Sequence, residues 1–345
     1  MFSPMVEEHK CPSDETQGPR SLLALTALSI AVGALSGLIA ALFRLLLQSA
    51  QGWRTYFILR AHDWGLLGFL WVILSIALLS AIAAWLVARF APETAGSGIP
   101  HVERQLRAGS LDKPHFVITV KFFGGLLAIG GGLVLGREGP SVQMGSEIGQ
   151  LIGYAFQRNR DECRALLAAG AGASLATAFN APFAGAIFVL EELVGRFDIA
   201  FTITTLGASA SAIYVSRLLL GHSPDFHVSP LAYLDFGVFP PILLLGVLMG
   251  LLGVAYNRCI LAALNLTSRF TKCRGTLRAA VIGAFVAVVG WFMPLSIGAG
   301  DVLTQNILDG RLLVGALAYG FVLHFFLGPA SYATRTPGGL CPLTS

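Results

Sequence analysis

Three short stretches put glycine, proline and charge inside otherwise apolar sequence: Gly96-Ser97-Gly98-Ile99-Pro100, Gly136-Arg137-Glu138-Gly139-Pro140, and Asn180-Ala181-Pro182 leading to Glu191-Glu192. A helix crosses a bilayer with about 20 apolar residues, and a break in such a run frees backbone N–H and C=O groups that hydrocarbon cannot satisfy. Broken helices therefore persist at membrane depth only where the freed backbone is buried in protein or lines a cavity. Each helix start also aims unpaired N–H groups and the positive end of the helix dipole into that cavity, which suits an anion. The pattern predicts an all-α polytopic membrane protein with tilted and broken helices around an anion path.

Composition agrees with a bilayer as the solvent. Hydrophobic residues make up 55% and charged residues 12% of the 345, where a soluble domain carries roughly 25% charged residues. Mean hydropathy is +0.72. Forty glycines and sixteen prolines fit closely packed, interrupted helices. The net charge of +4 argues against a nucleic-acid partner. Cys11, Cys163, Cys259, Cys273 and Cys341 have no metal-ligand spacing, and no His-x-x-x-His pair occurs. No cofactor is expected. Neither Glu138 nor Glu192 has a paired nucleophile, metal ligands or a cofactor loop at useful spacing, so an enzyme is disfavoured.

Residues 1–20 are polar and read as a tail without a leader's apolar core and cleavage site. Apolar runs follow at 21–47, 66–87, 116–135, 166–190, 199–220, 242–256, 279–293 and 312–327, several too short or too interrupted for a straight crossing. The polar, proline-containing stretch 222–241 separates a first half, 21–222, from a second, 223–345. Glycine-rich breaks recur in the second half at Ile297-Gly298-Ala299-Gly300 and Pro337-Gly338-Gly339. Paired interruptions of this kind point to inverted repeats with a transport site at their interface.

The motifs Gly96 to Pro100, Gly136 to Pro140, Phe179-Asn180-Ala181-Pro182 with Glu191-Glu192, and Thr336-Pro337-Gly338-Gly339-Leu340 resemble the CLC chloride channel and proton/chloride exchanger family. They follow the family's order at similar spacings, and the resemblance extends from about residue 21 to 340. It implies two inverted repeats, a homodimer with a separate anion path in each subunit, chloride and protons as cargo, and a bacterial plasma membrane. It places Ser97, Gly98, Ile99, Arg137, Gly139, Gly339 and Leu340 around bound chloride.

Each motif also has a physical reading of its own. Ser97 lies between glycines that let the backbone approach an ion, and its hydroxyl can donate one hydrogen bond; beside Gly and Pro it also suits a helix cap. Serine here, rather than the residues of nitrate- or fluoride-preferring members, implies chloride. Glu138 puts a carboxylate at bilayer depth, which costs roughly 2.5–3.5 kcal/mol even on insertion scales and marks a functional group. A structural pair with Arg137 or Lys121 is the alternative. In the family the matching glutamate is the gate, mimicking chloride when deprotonated and swinging out when protonated. Adjacent residues of an α-helix project about 100° apart, so at most one of Glu191 and Glu192 faces a given path. The resemblance makes Glu192 the proton relay and Glu103 its supporting acid, which favours an exchanger over a channel.

The last residues depart from the family. After Gly339 the chain reads Leu340-Cys341-Pro342 and ends at Ser345, and Arg335 falls where glycine is expected. The second repeat is therefore expected to be incomplete and exchange to be lost. A chloride channel and a non-transporting membrane remnant are the competing readings.

Overall fold

The computed structural model describes residues 19–108, 114–195, 197–222, 226–228, 236–269, 275–310 and 314–339. Most of the polar tail and Leu340 lie outside the described residues, while Pro19 and Arg20 already open the first helix. In chain order the helices are α1 (Pro19–Ala61), α2 (Gly65–Phe90), α3 (Ile99–Ala108), α4 (Pro114–Gly125), α5 (Glu138–Ala155) and α6 (Arg160–Phe179). They continue with α7 (Pro182–Phe188), α8 (Ile199–Leu220), α9 (Phe239–Arg269), α10 (Gly275–Phe292), α11 (Asp301–Leu308) and α12 (Val314–Tyr332). Among the described residues no strand forms, and an isolated bridge joins Gly136 to Gly339.

Local chemistry explains where these helices begin and stop. The 199–220 run is α8 itself, started by the Asp198 carboxylate accepting from the Ala200 N–H and ended at Gly221, φ +79°. The 166–190 run is broken as its Asn and Pro require: α6 ends at Asn180, φ +52°, and Pro182 opens α7. The 116–135 run is not one helix. It loosens into a π-helical turn at Leu126–Gly130 and stops at Gly132, φ +128°, leaving 133–135 irregular, with the Leu135 N–H donating to the Leu133 carbonyl at 2.9 Å. The 21–47 run, conversely, understates α1, which continues for 43 residues to Ala61. Among the described residues, four segments are long and apolar enough to cross a membrane: Leu22–Phe90, Ile199–Leu220, Phe239–Thr267 and Gly275–Phe292.

The chain forms two compact units, each assembled from separated stretches. The first comprises residues 1–45, 90–122 and 138–223. Its centre is α5 against α6, packed through glycine. A Cβ on Gly149 would lie 2.0 Å from the Leu166 carbonyl oxygen, and one on Gly170 2.0 Å from that of Gly145. Small residues let helix backbones touch where lipid offers no hydrophobic drive for association. Leu166, Leu167, Ala168, Val142, Val189 and Phe201 close the core around this contact.

The second unit comprises residues 46–89, 123–137 and 224–345. Arg54 donates to the carbonyls of Ile297 at 2.9 Å and Gly130 at 3.3 Å, tying α1 to two irregular segments. His62 stacks on Trp291 with ring centroids 3.8 Å apart, and Tyr256 of α9 meets Phe325 of α12 edge-on. Most of α9 between Ile242 and Val254 is exposed and apolar, a surface suited to lipid.

Candidate functional site: a serine loop, a glutamate-headed helix and a paired glycine

In the first unit, the loop before α3 owes its shape to Gly96 and Gly98, with φ of +73° and +87°. Ser97 Oγ accepts from the Ile99 N–H at 3.3 Å and so caps α3. A hydroxyl that accepts still has its own hydrogen to donate, so the cap and an anion contact are compatible. The Ile99 N–H, by contrast, already points to Ser97. Beneath the loop, the fully buried Lys121 donates from Nζ to the carbonyls of Gly96 at 2.8 Å and Thr94 at 3.0 Å. The lysine named as an alternative partner for Glu138 thus braces the loop backbone.

The second motif closes on this loop. Glu138 is the first residue of α5 and partly buried, so its carboxylate sits at the positive end of an 18-residue helix. Gly139 follows with no room for a side chain: a Cβ there would be 2.6 Å from the Ser97 carbonyl oxygen and 2.9 Å from Ser97 Cβ. One turn on, Gln143 is buried, donates to the Glu93 carbonyl at 3.2 Å, and fills the space beside Gly98. Sequence reasoning did not single out Lys121 or Gln143 as supports of the loop.

The acids assigned to proton movement are spread over neighbouring elements. Glu103 lies on α3 and accepts from Arg107 at 2.5 Å, a surface pair one turn apart. Glu191 and Glu192 lie in a π-helical turn, Val189–Val194, which packs against α3. Both side chains are exposed. A π turn, with its i→i+5 bonding, has a different register from the α-helix in which adjacent residues project about 100° apart.

In the second unit the fourth motif pairs with the second. Gly136 donates to the Gly339 carbonyl at 2.9 Å and Gly339 donates back at 2.8 Å. A backbone nitrogen carries one proton, so the Gly339 N–H assigned to chloride is engaged by Gly136. Thr334, Thr336 and Ser331 brace this end, Ser331 Oγ accepting from the Val134 N–H at 3.1 Å. Arg335, where the family resemblance leads to glycine, has φ +59°, the left-handed conformation glycine adopts freely. Arg137 is buried and lies 3.4 Å from Asp301 Oδ2 at the start of α11. The Gly298-Ala299-Gly300 break was legible in the sequence; Asp301 as the partner of Arg137 was not. Asp301 and Arg54 also line a cavity of about 650 Å³ with Gln48, Thr55, His227 and Gln305.

An all-helical chain whose interrupted helices begin at buried glycine-rich loops, one headed by a carboxylate, is a polytopic membrane protein of the transporter or channel class. A family model described as voltage gated chloride channel matches residues 79–342, and the chain belongs to this family. The H(+)/Cl(-) exchange transporter ClcA of Vibrio cholerae serotype O1 is 36% identical over 326 residues, covering 91% of this chain and 68% of the relative. The protein of the same name from Salmonella typhimurium is 32% identical over 333 residues, covering 94% and 70%. Among solved structures, a slow cyanobacterial Cl-/H+ antiporter matches at TM-score 0.86 and 28% identity, covering 94% of this chain and 76% of that one. A CLC-type fluoride/proton antiporter matches at TM-score 0.80 over 94% and 78% of the two chains, and at 22% identity it supports the fold alone.

Proposed function

We propose that this chain carries chloride across a bacterial plasma membrane in exchange for protons; the loss of exchange expected from the last residues is the competing reading, and unsubstituted chain that moves neither ion in liposomes would uphold it. The observation that carries the reading is the position of Glu138 as the first residue of α5, with Gly139 packed directly on the Ser97 loop. A deprotonated Glu138 brings negative charge to a helix N-terminus, where chloride is drawn by the same dipole and N–H groups. A proton on Glu138 removes that competitor. One titrating side chain thereby binds either in place of chloride or with a proton, which couples the two ions. The named exchange activities of the ClcA relatives and of the cyanobacterial antiporter support the same cargo.

Ser97 is the chloride donor in this reading, its hydroxyl hydrogen being free of the cap, with Gly98 and Gly139 providing close approach. On the family resemblance, Arg137 supplies positive charge. Glu192 relays protons with Glu103 in support, and a homodimer with a separate path in each subunit completes the proposal. The test is Glu138→Gln in liposomes, with chloride flux and proton uptake recorded together. Glutamine keeps the volume but neither titrates nor competes, so proton coupling is expected to vanish while chloride movement persists. Chloride-driven proton pumping that survives this change would overturn the assignment.

A further inference from the structure

One face of α5 has no place in the reading above. Gln143, Glu147, Gln150 and Tyr154 recur at one-turn spacing, and the first three are at most 1% exposed. Opposite them on α3 stand His101, 6% exposed, and Gln105, 2% exposed. Gln105 Nε2 donates to Glu147 Oε1 at 3.0 Å and to Gln150 Oε1 at 3.3 Å, and Gln150 Nε2 reaches the Tyr154 hydroxyl at 3.2 Å. His101 Nε2 lies 3.4 Å from Glu147 Oε1.

The hydrogen-bond balance of this cluster is uneven. Glu147 Oε2, Gln105 Oε1 and Gln143 Oε1 are all buried and accept no hydrogen bond from another described residue. Buried polar atoms are ordinarily paired, and the unmatched Glu147 Oε2 and Gln105 Oε1, beside an imidazole, lack one thing: protons. A protonated carboxyl group turns an acceptor into an O–H donor, and water between these oxygens supplies further donors. The ionisable groups on the elements packed against this helix are His101, Glu103, Arg104 and Arg107 of α3 and Arg160, Asp161, Glu162 and Arg164 of α6. Of these, His101 alone comes within ion-pair distance of Glu147. Gln143 fills the space beside Gly98, so the polar face begins at the serine loop.

We propose that Glu147 and His101 form a buried proton-binding site, its ligand a proton held with water at Glu147 Oε2 beside the Gln105 amide. It is separate from Glu138, Glu192 and Glu103. Its use in transport rests on the exchanger reading, but its existence does not.

The test is infrared difference spectroscopy of the purified 345-residue chain, titrated from acidic to alkaline pH. A carboxylic-acid C=O band that responds to pH in the unsubstituted chain is expected to be lost in Glu147→Gln, and its pH response is expected to change in His101→Gln. A band set identical in the unsubstituted chain and Glu147→Gln overturns the site. Should Glu147→Gln fail to fold, His101→Gln decides alone, and an unchanged pH response overturns the pairing. A titrating Glu147 band in a chain that moves no protons upholds the site and counts against the exchanger reading instead.

Discussion

Lys121 meets two carbonyl oxygens in place of the carboxylate that ordinarily partners a buried lysine. Its Nζ holds the Thr94 and Gly96 carbonyls, and the Ser97 loop hangs from them. Replacing it with methionine keeps the aliphatic stem but orphans both acceptors, at about 1–3 kcal/mol each. Lys121→Met is therefore expected to lower stability by about 2–6 kcal/mol, read as a fall in the thermal midpoint of the detergent-purified protein; an unchanged midpoint would show that the loop has other supports. Arg335 presents the opposite case, a non-glycine residue at φ +59°. Arg335→Gly relieves about 1 kcal/mol of left-handed strain, offset in part by the greater freedom of glycine when unfolded, and should raise the same midpoint slightly. At this scale the sequence was legible wherever glycine, proline or charge interrupted an apolar run. The partners of Lys121, Gln143 and Asp301 were not, because they lie far along the chain and leave no local pattern.

At the scale of elements, α8 was readable to the residue because Asp198 and Gly221 mark both ends. Hydropathy concealed α5. Its buried face carries Gln143, Glu147 and Gln150, so it scores as polar although protein surrounds it. Hydropathy reports contact with lipid, whereas α5 is enclosed by other helices. The same distinction sorts the glycines. Gly149 on α5 has the Leu166 carbonyl 2.0 Å from where a Cβ would sit, while Gly253 on α9 has open space. Gly149→Ala should prevent recovery of folded protein, seen as loss of the monodisperse peak in size-exclusion chromatography. Gly253→Ala should be tolerated and gain up to about 1 kcal/mol from helix propensity. Equal behaviour of the two variants would contradict the packing described for α5 and α6.

For the whole molecule, the paired acids after α7 test how far family register can be carried onto this chain. Glu192→Gln is expected to remove proton movement while chloride flux continues, and Glu191→Gln to spare both, measured in the same liposome assay as Glu138→Gln. The reverse result would assign the relay to Glu191, a shift the π turn at Val189–Val194 makes geometrically reasonable. Anion-site loops were legible as motifs, and the division into compact units was not. Each unit draws on separated stretches, with one boundary between Arg137 and Glu138 inside a single motif. Apolar runs count helices; they do not say which stretches pack together.

The pairing of the 133–136 segment with the last motif also sets the order in which the protein can be made. Val134 reaches Ser331, 197 residues further on, and Gly136 waits for Gly339. Contacts this distant in sequence must absorb loop-closure entropy before they return any stabilisation. On the ribosome, residues 46–89 and 123–137 emerge long before the partner that completes their unit, whereas the first unit is fully synthesised by residue 223. Nascent chains arrested before residue 331 should thus hold a protease-resistant first unit and a still-cleavable second one, a window in which the insertion machinery must shelter an unfinished interface.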